Sequence, residues 1–191
     1  MPQIDNHLKW CLSDTKRLIK SAPDLQLAQK HLKKSEYNYN VLQTLEELKI
    51  YDWALNVGFY AIYHCFLGIL SKYGYSSKNQ SCTITAILKL IEDKKLDFDK
   101  DLVLQFDTLD VEDIEIPSNS VTLESEISNR HSRTKGDTIN GNVYNLNNPT
   151  TRQDREMSTY GVETSIDLKQ LNKVKELILK VQRETIKVLV K

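Results

Sequence analysis

Residues 51–73 constrain the fold more than any other stretch of the chain. Ala54, Gly58, Ala61, Cys65 and Gly68 recur at spacings of four, three, four and three, which places five small side chains along one face of a single helix. Leu55, Phe59, Ile62, Phe66, Ile69 and Tyr73 repeat the same spacing with large side chains. A helix apolar around most of its circumference belongs in the middle of its domain. Each glycine inside a helix costs roughly 1 kcal/mol against alanine, and close approach of a neighbouring helix is the natural compensation. The run 53–70 is also the one stretch that invites a membrane reading. Asn56, His64 and nearby charged flanks favour a buried core helix over a bilayer span of ~20 apolar residues.

The rest of the chain supplies partners for that helix. Ile4, Leu8, Cys11, Leu12, Thr15, Leu18 and Ile19 follow a helical face and predict an N-terminal helix over 3–20. Pro23 and Asp24 stop and restart the chain. A second helix is expected over about 24–48, weakened and open to bending at 35–40, where the sequence reads SEYNYN. A fourth starts near Ser81 or Thr83 and carries Ile84, Ile87, Leu88 and Ile91 on one face. A shorter segment over 98–109 turns Phe98, Leu102, Phe106 and Leu109 inward. A last helix over 167–190 has Asp167 as N-cap, Gln170 at capping-box spacing, and an apolar face from Leu168 to Val188 on which Lys175 also falls. With only 6 Gly and 4 Pro in 191 residues, long helices are favoured over many short strands. The expectation is one all-α domain over 1–191, a bundle of four to five long helices with an extra N-terminal helix.

Residues 107–150 break the helical pattern and read as an insertion or loop. They hold Pro117, Gly136, Gly141, Pro149 and five Asn between 140 and 148. Asn140-Gly141 is a hairpin signal. Charge is also uneven here. Lys plus Arg and Asp plus Glu are both 26, yet residues 107–126 hold 7 acids and no base, and residues 127–191 hold 12 bases against 7 acids. The neutral total excludes a strongly basic or acidic protein and hides an acidic segment followed by a basic one.

Three cysteines, Cys11, Cys65 and Cys82, form no CxxC pair. Cys65 lies inside the apolar run and reads as a small core residue. A disulfide or zinc site is not expected, and a reducing cytoplasm is the default compartment. The N-terminus shows no apolar leader segment. No GxGxxG, GxxxxGK[ST], HExxH or GxSxG occurs, so dinucleotide, P-loop, zinc-protease and serine-hydrolase readings lack support. His7, His31, His64 and His131 show no metal-ligand spacing, and His64 on the apolar helix reads as a core residue. No cofactor, metal or membrane partner is expected.

Three segments, in order, resemble HEPN domains (higher eukaryotes and prokaryotes nucleotide-binding domains). Tyr51-Asp52, Ala54, Phe59-Tyr60-Ala61 and Tyr63-His64 are similar to the second helix of that family. Gly74 to Thr83 resembles the loop opening its third helix, with Asn79-Gln80 where many members carry His. Arg152, Arg155, Tyr160 and Gly161 resemble the segment that opens its closing helices. The resemblance covers about 25–106 and 151–190. It implies a helical bundle paired into a homodimer, with the active members acting as metal-independent RNases. Their signature is an Arg, four to six intervening residues, and then a His. The chemistry needs a proton-handling group and a cation beside the crowded phosphate, roles that suit His and Arg.

This chain departs from the signature, because Arg155 is followed at that spacing by Tyr160. A phenol with a pKa near 10 is a poor base at neutral pH. The resemblance therefore implies three readings. The first is RNA or nucleotide binding through Arg152, Arg155, Lys78 and Asn79, in a protein of toxin–antitoxin or defence type. The second is a non-catalytic interaction module partnering a minimal nucleotidyltransferase. The third is an RNase whose catalytic residues are Arg155 and Tyr160, assisted by Arg152.

Overall fold

A computed structural model describes residues 2–107 and 168–191. It contains α1 (Pro2–Leu12), β1 (Leu18–Lys20), α2 (Leu25–Glu47), α3 (Tyr51–Lys72), β2 (Tyr75–Ser77), α4 (Gln80–Glu92), α5 (Lys100–Asp107) and α6 (Leu168–Val190). The domain is all-α, with six helices and one short two-stranded ribbon among the described residues. The insertion at 107–150 lies, from residue 108 on, outside the described residues, as do Leu109 and the expected cap Asp167.

Each helix boundary has a local cause. Asp24 caps α2 by accepting a hydrogen bond from the Leu27 amide at 2.8 Å, satisfying one of the amides a helix start leaves unpaired. At the far end of α2 the Ile50 amide donates to Leu45 O at 2.8 Å and the Lys49 amide to Glu46 O at 2.9 Å. That is a Schellman turn, with Lys49 in the left-handed region at φ 61°. The end of α4 repeats it, with Lys95 donating to Leu90 O, Lys94 to Ile91 O, and Lys94 at φ 54°. The first of these turns folds α2 back against α3 as a helical hairpin.

α3 is the centre of the molecule. It is long and apolar enough to cross a membrane by length and composition, yet 14 of its 22 residues are buried, packed against α2, α4 and α6. The small-residue stripe does what its spacing predicts. A Cβ on Gly58 would fall 2.9 Å from Leu42 Cδ1 of α2 and from Val174 Cγ1 of α6. A Cβ on Gly68 would fall 3.1 Å from the backbone oxygen of Ala28 in α2. On the opposite side Phe59 stacks on Phe106 of α5 at 4.8 Å, and Phe66 meets the same ring edge-on at 5.2 Å. The helix is not buried all round, however: Trp53 and Tyr60 remain exposed.

α2 runs unbroken through 35–40, so the expected bend is absent. Its polar residues are used in the core instead. Ser35, fully buried, accepts from Gln182 Nε2 of α6 at 2.9 Å and lies 3.1 Å from the Cys65 sulfur of α3. This polar contact ties the three central helices together. Lys175, which shares the inward face of α6 by sequence, reaches the edge of the helix and pairs with Glu46 of α2 at 2.7 Å.

The N-terminal helix is shorter than its periodicity suggested. It ends at Leu12, and Asp14 organises a turn in which its carboxylate accepts from the Lys16 amide at 2.8 Å. Leu18 to Lys20 then pair antiparallel with Tyr75 to Ser77, in the register Leu18↔Ser77 and Lys20↔Tyr75. α1 lies antiparallel to α4, with Asp5 against Lys89 at 2.8 Å near one end and Cys11 against Cys82 at the other.

Candidate functional site

The corner where α1 ends, the ribbon begins and α4 starts concentrates the chain's chemically versatile side chains. Asn79 caps α4, its Oδ1 accepting from the Cys82 amide at 3.0 Å. The expected ligand role of Asn79 is thereby narrowed, since that oxygen is committed to the helix. Lys78, just before it, is exposed. Its backbone amide donates to Arg17 O at 2.9 Å, which extends the ribbon by one position and sets Lys78 opposite Arg17.

Arg17 lies over the ring of Trp10, its guanidinium carbon 3.8 Å from the ring centre. It donates to Trp10 O at 2.8 Å and to the Asp14 carboxylate at 3.4 Å. His7 stacks beside Trp10 at 5.2 Å. Lys9, Lys16 and Lys20 are exposed on the elements that meet here. The backbone amide of Lys16 and the side chain of Arg17 hold the Asp14 carboxyl below its usual range, so the one acid in the cluster is already engaged.

Beneath this surface Cys11 and Cys82 are joined by a disulfide across 71 residues of sequence. This corrects the expectation that no disulfide forms. The periodicity placed Cys11 on a helix face and left Cys82 at the expected start of the fourth helix, and only the antiparallel packing of α1 on α4 brings them together. His7 belongs to the same cluster, with ligand atoms of His7, Cys11 and Cys82 within 4.8 Å of one another. It was missed because one ligand pair sits on one helix and the third residue lies on another. Cys65 is separate, buried as expected, and burial pushes its thiol pKa up to about 11.

A second cluster lies between α2 and α3. His31 Nδ1 and His64 Nδ1 are 3.0 Å apart, so one imidazole donates to the other, whose accepting nitrogen carries no proton. Burial and the neighbouring His31 and Lys34 bring the His64 pKa down to about 4, and burial lowers that of His31. His64 is half-buried at the helix seam with a histidine partner, not enclosed in the core.

Arg152, Arg155 and Tyr160 lie outside the described residues, so only Lys78 and Asn79 of the expected site are placed. What the fold defines is an all-α bundle carrying a basic, aromatic corner. Comparison with protein-family models, with curated proteins and with solved structures finds no match.

Proposed function

We propose that the chain is a HEPN-like RNA- or nucleotide-binding protein of toxin–antitoxin or defence type, acting in the cytoplasm as a homodimer. The observation that carries this reading is the placement of Arg17 and Lys78 opposite each other at the end of the ribbon. Arg17 is held at this end of the ribbon by Asp14 and the Trp10 carbonyl, and a bound phosphate would join its guanidinium and the exposed Lys78 in charge-assisted hydrogen bonds. Trp10, partly exposed beside them, carries Arg17 over its ring and His7 stacked against it, an aromatic and cationic group of the kind that meets single-stranded bases. The sequence order of the three HEPN-like segments, on a bundle with α3 at its centre, is in keeping with the same reading. Arg152 and Arg155, doubled by two-fold symmetry, would add four guanidinium groups to the phosphate-binding surface.

The test is binding of a single-stranded RNA by the purified protein across a salt series, with the mass measured by sedimentation. The expected result is a dimer whose affinity falls steeply with salt. Lys78→Glu and Arg155→Ala should each weaken binding several-fold with the melting temperature unchanged. A folded protein that binds no RNA at low salt rejects this reading and leaves a protein-interaction module, with a minimal nucleotidyltransferase as the partner to try.

A further inference from the structure

We infer that His7, Cys11 and Cys82 form a binding site for a borderline-soft divalent cation such as zinc, open when the two cysteines are reduced and closed by their disulfide. The inference does not rest on the RNA-binding reading. His7 and Cys11 are four residues apart on α1 and therefore share a face. Cys82 meets them from the first turn of α4. Their ligand atoms already lie within 4.8 Å of one another. Tetrahedral zinc, with bonds of about 2.3 Å to sulfur and about 2.0 Å to nitrogen, needs ligand atoms roughly 3.3–3.8 Å apart. Breaking the sulfur–sulfur bond and letting the thiolates separate brings the cluster to that spacing with small movements.

The hydrogen bonds around His7 prepare it as a ligand. The Thr85 hydroxyl donates to Ser81 O at 2.9 Å, so its oxygen is the acceptor in the 2.7 Å contact with His7 Nδ1. His7 is thus the tautomer protonated on Nδ1, and its Nε2 lone pair meets the Ser81 hydroxyl at 3.5 Å, a long contact that a bound cation would replace. A histidine oriented through its far nitrogen is the usual support of a metal-bound imidazole. Both cysteines are fully buried, so a bound cation would be shielded from water except on the side of half-buried His7.

The chemistry balances with a dithiol or phosphine as reductant. Two electrons and two protons reach the Cys11–Cys82 disulfide and leave two thiols, while a dithiol becomes its own disulfide or a phosphine takes up the oxygen of water as its oxide. Cation binding then releases the two thiol protons. In a reducing compartment the corner would be held by metal, and in an oxidising one by the sulfur–sulfur bond.

Cobalt is the probe, because thiolate ligation gives it an intense near-ultraviolet charge-transfer band and visible bands diagnostic of tetrahedral geometry. The protein is reduced anaerobically with a phosphine, desalted and titrated with cobalt. The expected result is one cobalt per chain, displaced by one zinc, with no binding to the oxidised protein. Cys65→Ser should titrate like the parent, Cys82→Ser should lose the charge-transfer band, and His7→Ala should bind at least ten-fold more weakly. The His7→Ala protein keeps the disulfide, so its fold can be verified before reduction. The inference is overturned if the reduced parent shows no band, if the oxidised parent binds equally well, or if His7→Ala titrates unchanged. It is equally overturned if the reduced chain unfolds and zinc does not restore it.

Discussion

The Cβ that Gly68 lacks would sit 3.1 Å from the carbonyl oxygen of Ala28, so α2 and α3 are in backbone contact there. The obstacle is main chain and cannot rotate away, unlike the side-chain ends of Leu42 and Val174 that face Gly58. Gly68→Leu should therefore overpack the seam and lower stability by roughly 1–3 kcal/mol or more. Gly58→Leu should also destabilise, since Leu42 and Val174 are themselves buried. Denaturant unfolding of both variants checks this, and a Gly68→Leu protein that melts like the parent would remove the close-packing argument.

Lys49 and Lys94 each occupy the left-handed position of a Schellman turn, at φ 61° and 54°. A side chain there costs roughly 1–2 kcal/mol in backbone strain, while glycine adopts the same angles freely and gives back part of the gain through unfolded-state entropy. Both lysines are exposed, so no packing is lost by removing them. Lys49→Gly and Lys94→Gly should each raise stability by about 0.5–1 kcal/mol, seen as a higher urea midpoint at constant slope. A fall in midpoint for both would show that other contacts of these lysines outweigh the strain.

The helices that were legible in the sequence are those whose signal is local. α2, α3, α4 and α6 carry repeated apolar faces, and the small-residue stripe of α3 foretold its close neighbours. What the sequence concealed depends on pairing between distant segments. Leu18 and Ile19 fit the helical period of α1 as well as they fit a strand, and their partner Ser76–Ser77 is too polar to announce itself as one. Cys11 with Cys82 and His31 with His64 are separated by 71 and 33 residues, and no spacing rule reaches that far. Of the expected site, only Lys78 and Asn79 fall among the described residues, and both were read from a family-like loop. Arg17 and Trp10, which flank them, were not, because their side chains meet only where α1 ends and the ribbon begins.

The His31–His64 contact makes stability depend on pH in a defined direction. In the unfolded chain His64 takes up a proton near its ordinary value of 6.5, whereas in the folded protein it resists protonation down to about 4. Its depressed folded value means that the unfolded state binds more protons between those limits. The contribution is fully present above about pH 6.5 and is lost progressively as pH falls toward 4. Partial exposure reduces the effect to about 1–2 kcal/mol. Urea midpoints measured from pH 7.5 to 4.5 should fall in the parent and fall less in His64→Gln. Equal pH slopes in the two proteins would show that the histidine pair does not govern this window.

Tyr160→Phe separates RNA binding from RNA cleavage, because it removes one hydroxyl and leaves the ring. If the protein only binds, loss of that hydroxyl changes affinity by a few-fold at most, while Arg155→Ala weakens binding through the lost phosphate contact. If it cuts, the phenol would have to manage a proton at neutral pH with a group whose ordinary pKa is about 10. Cleavage would then rise with pH, and Tyr160→Phe would abolish it without displacing the RNA. The expected outcome is binding without cleavage, unchanged within a few-fold in Tyr160→Phe. The measurement pairs an RNA-binding isotherm with a gel assay of the same RNA at pH 7 and pH 9. Cleavage by the parent that disappears in Tyr160→Phe would overturn the binding-only expectation and make Tyr160 a catalytic residue.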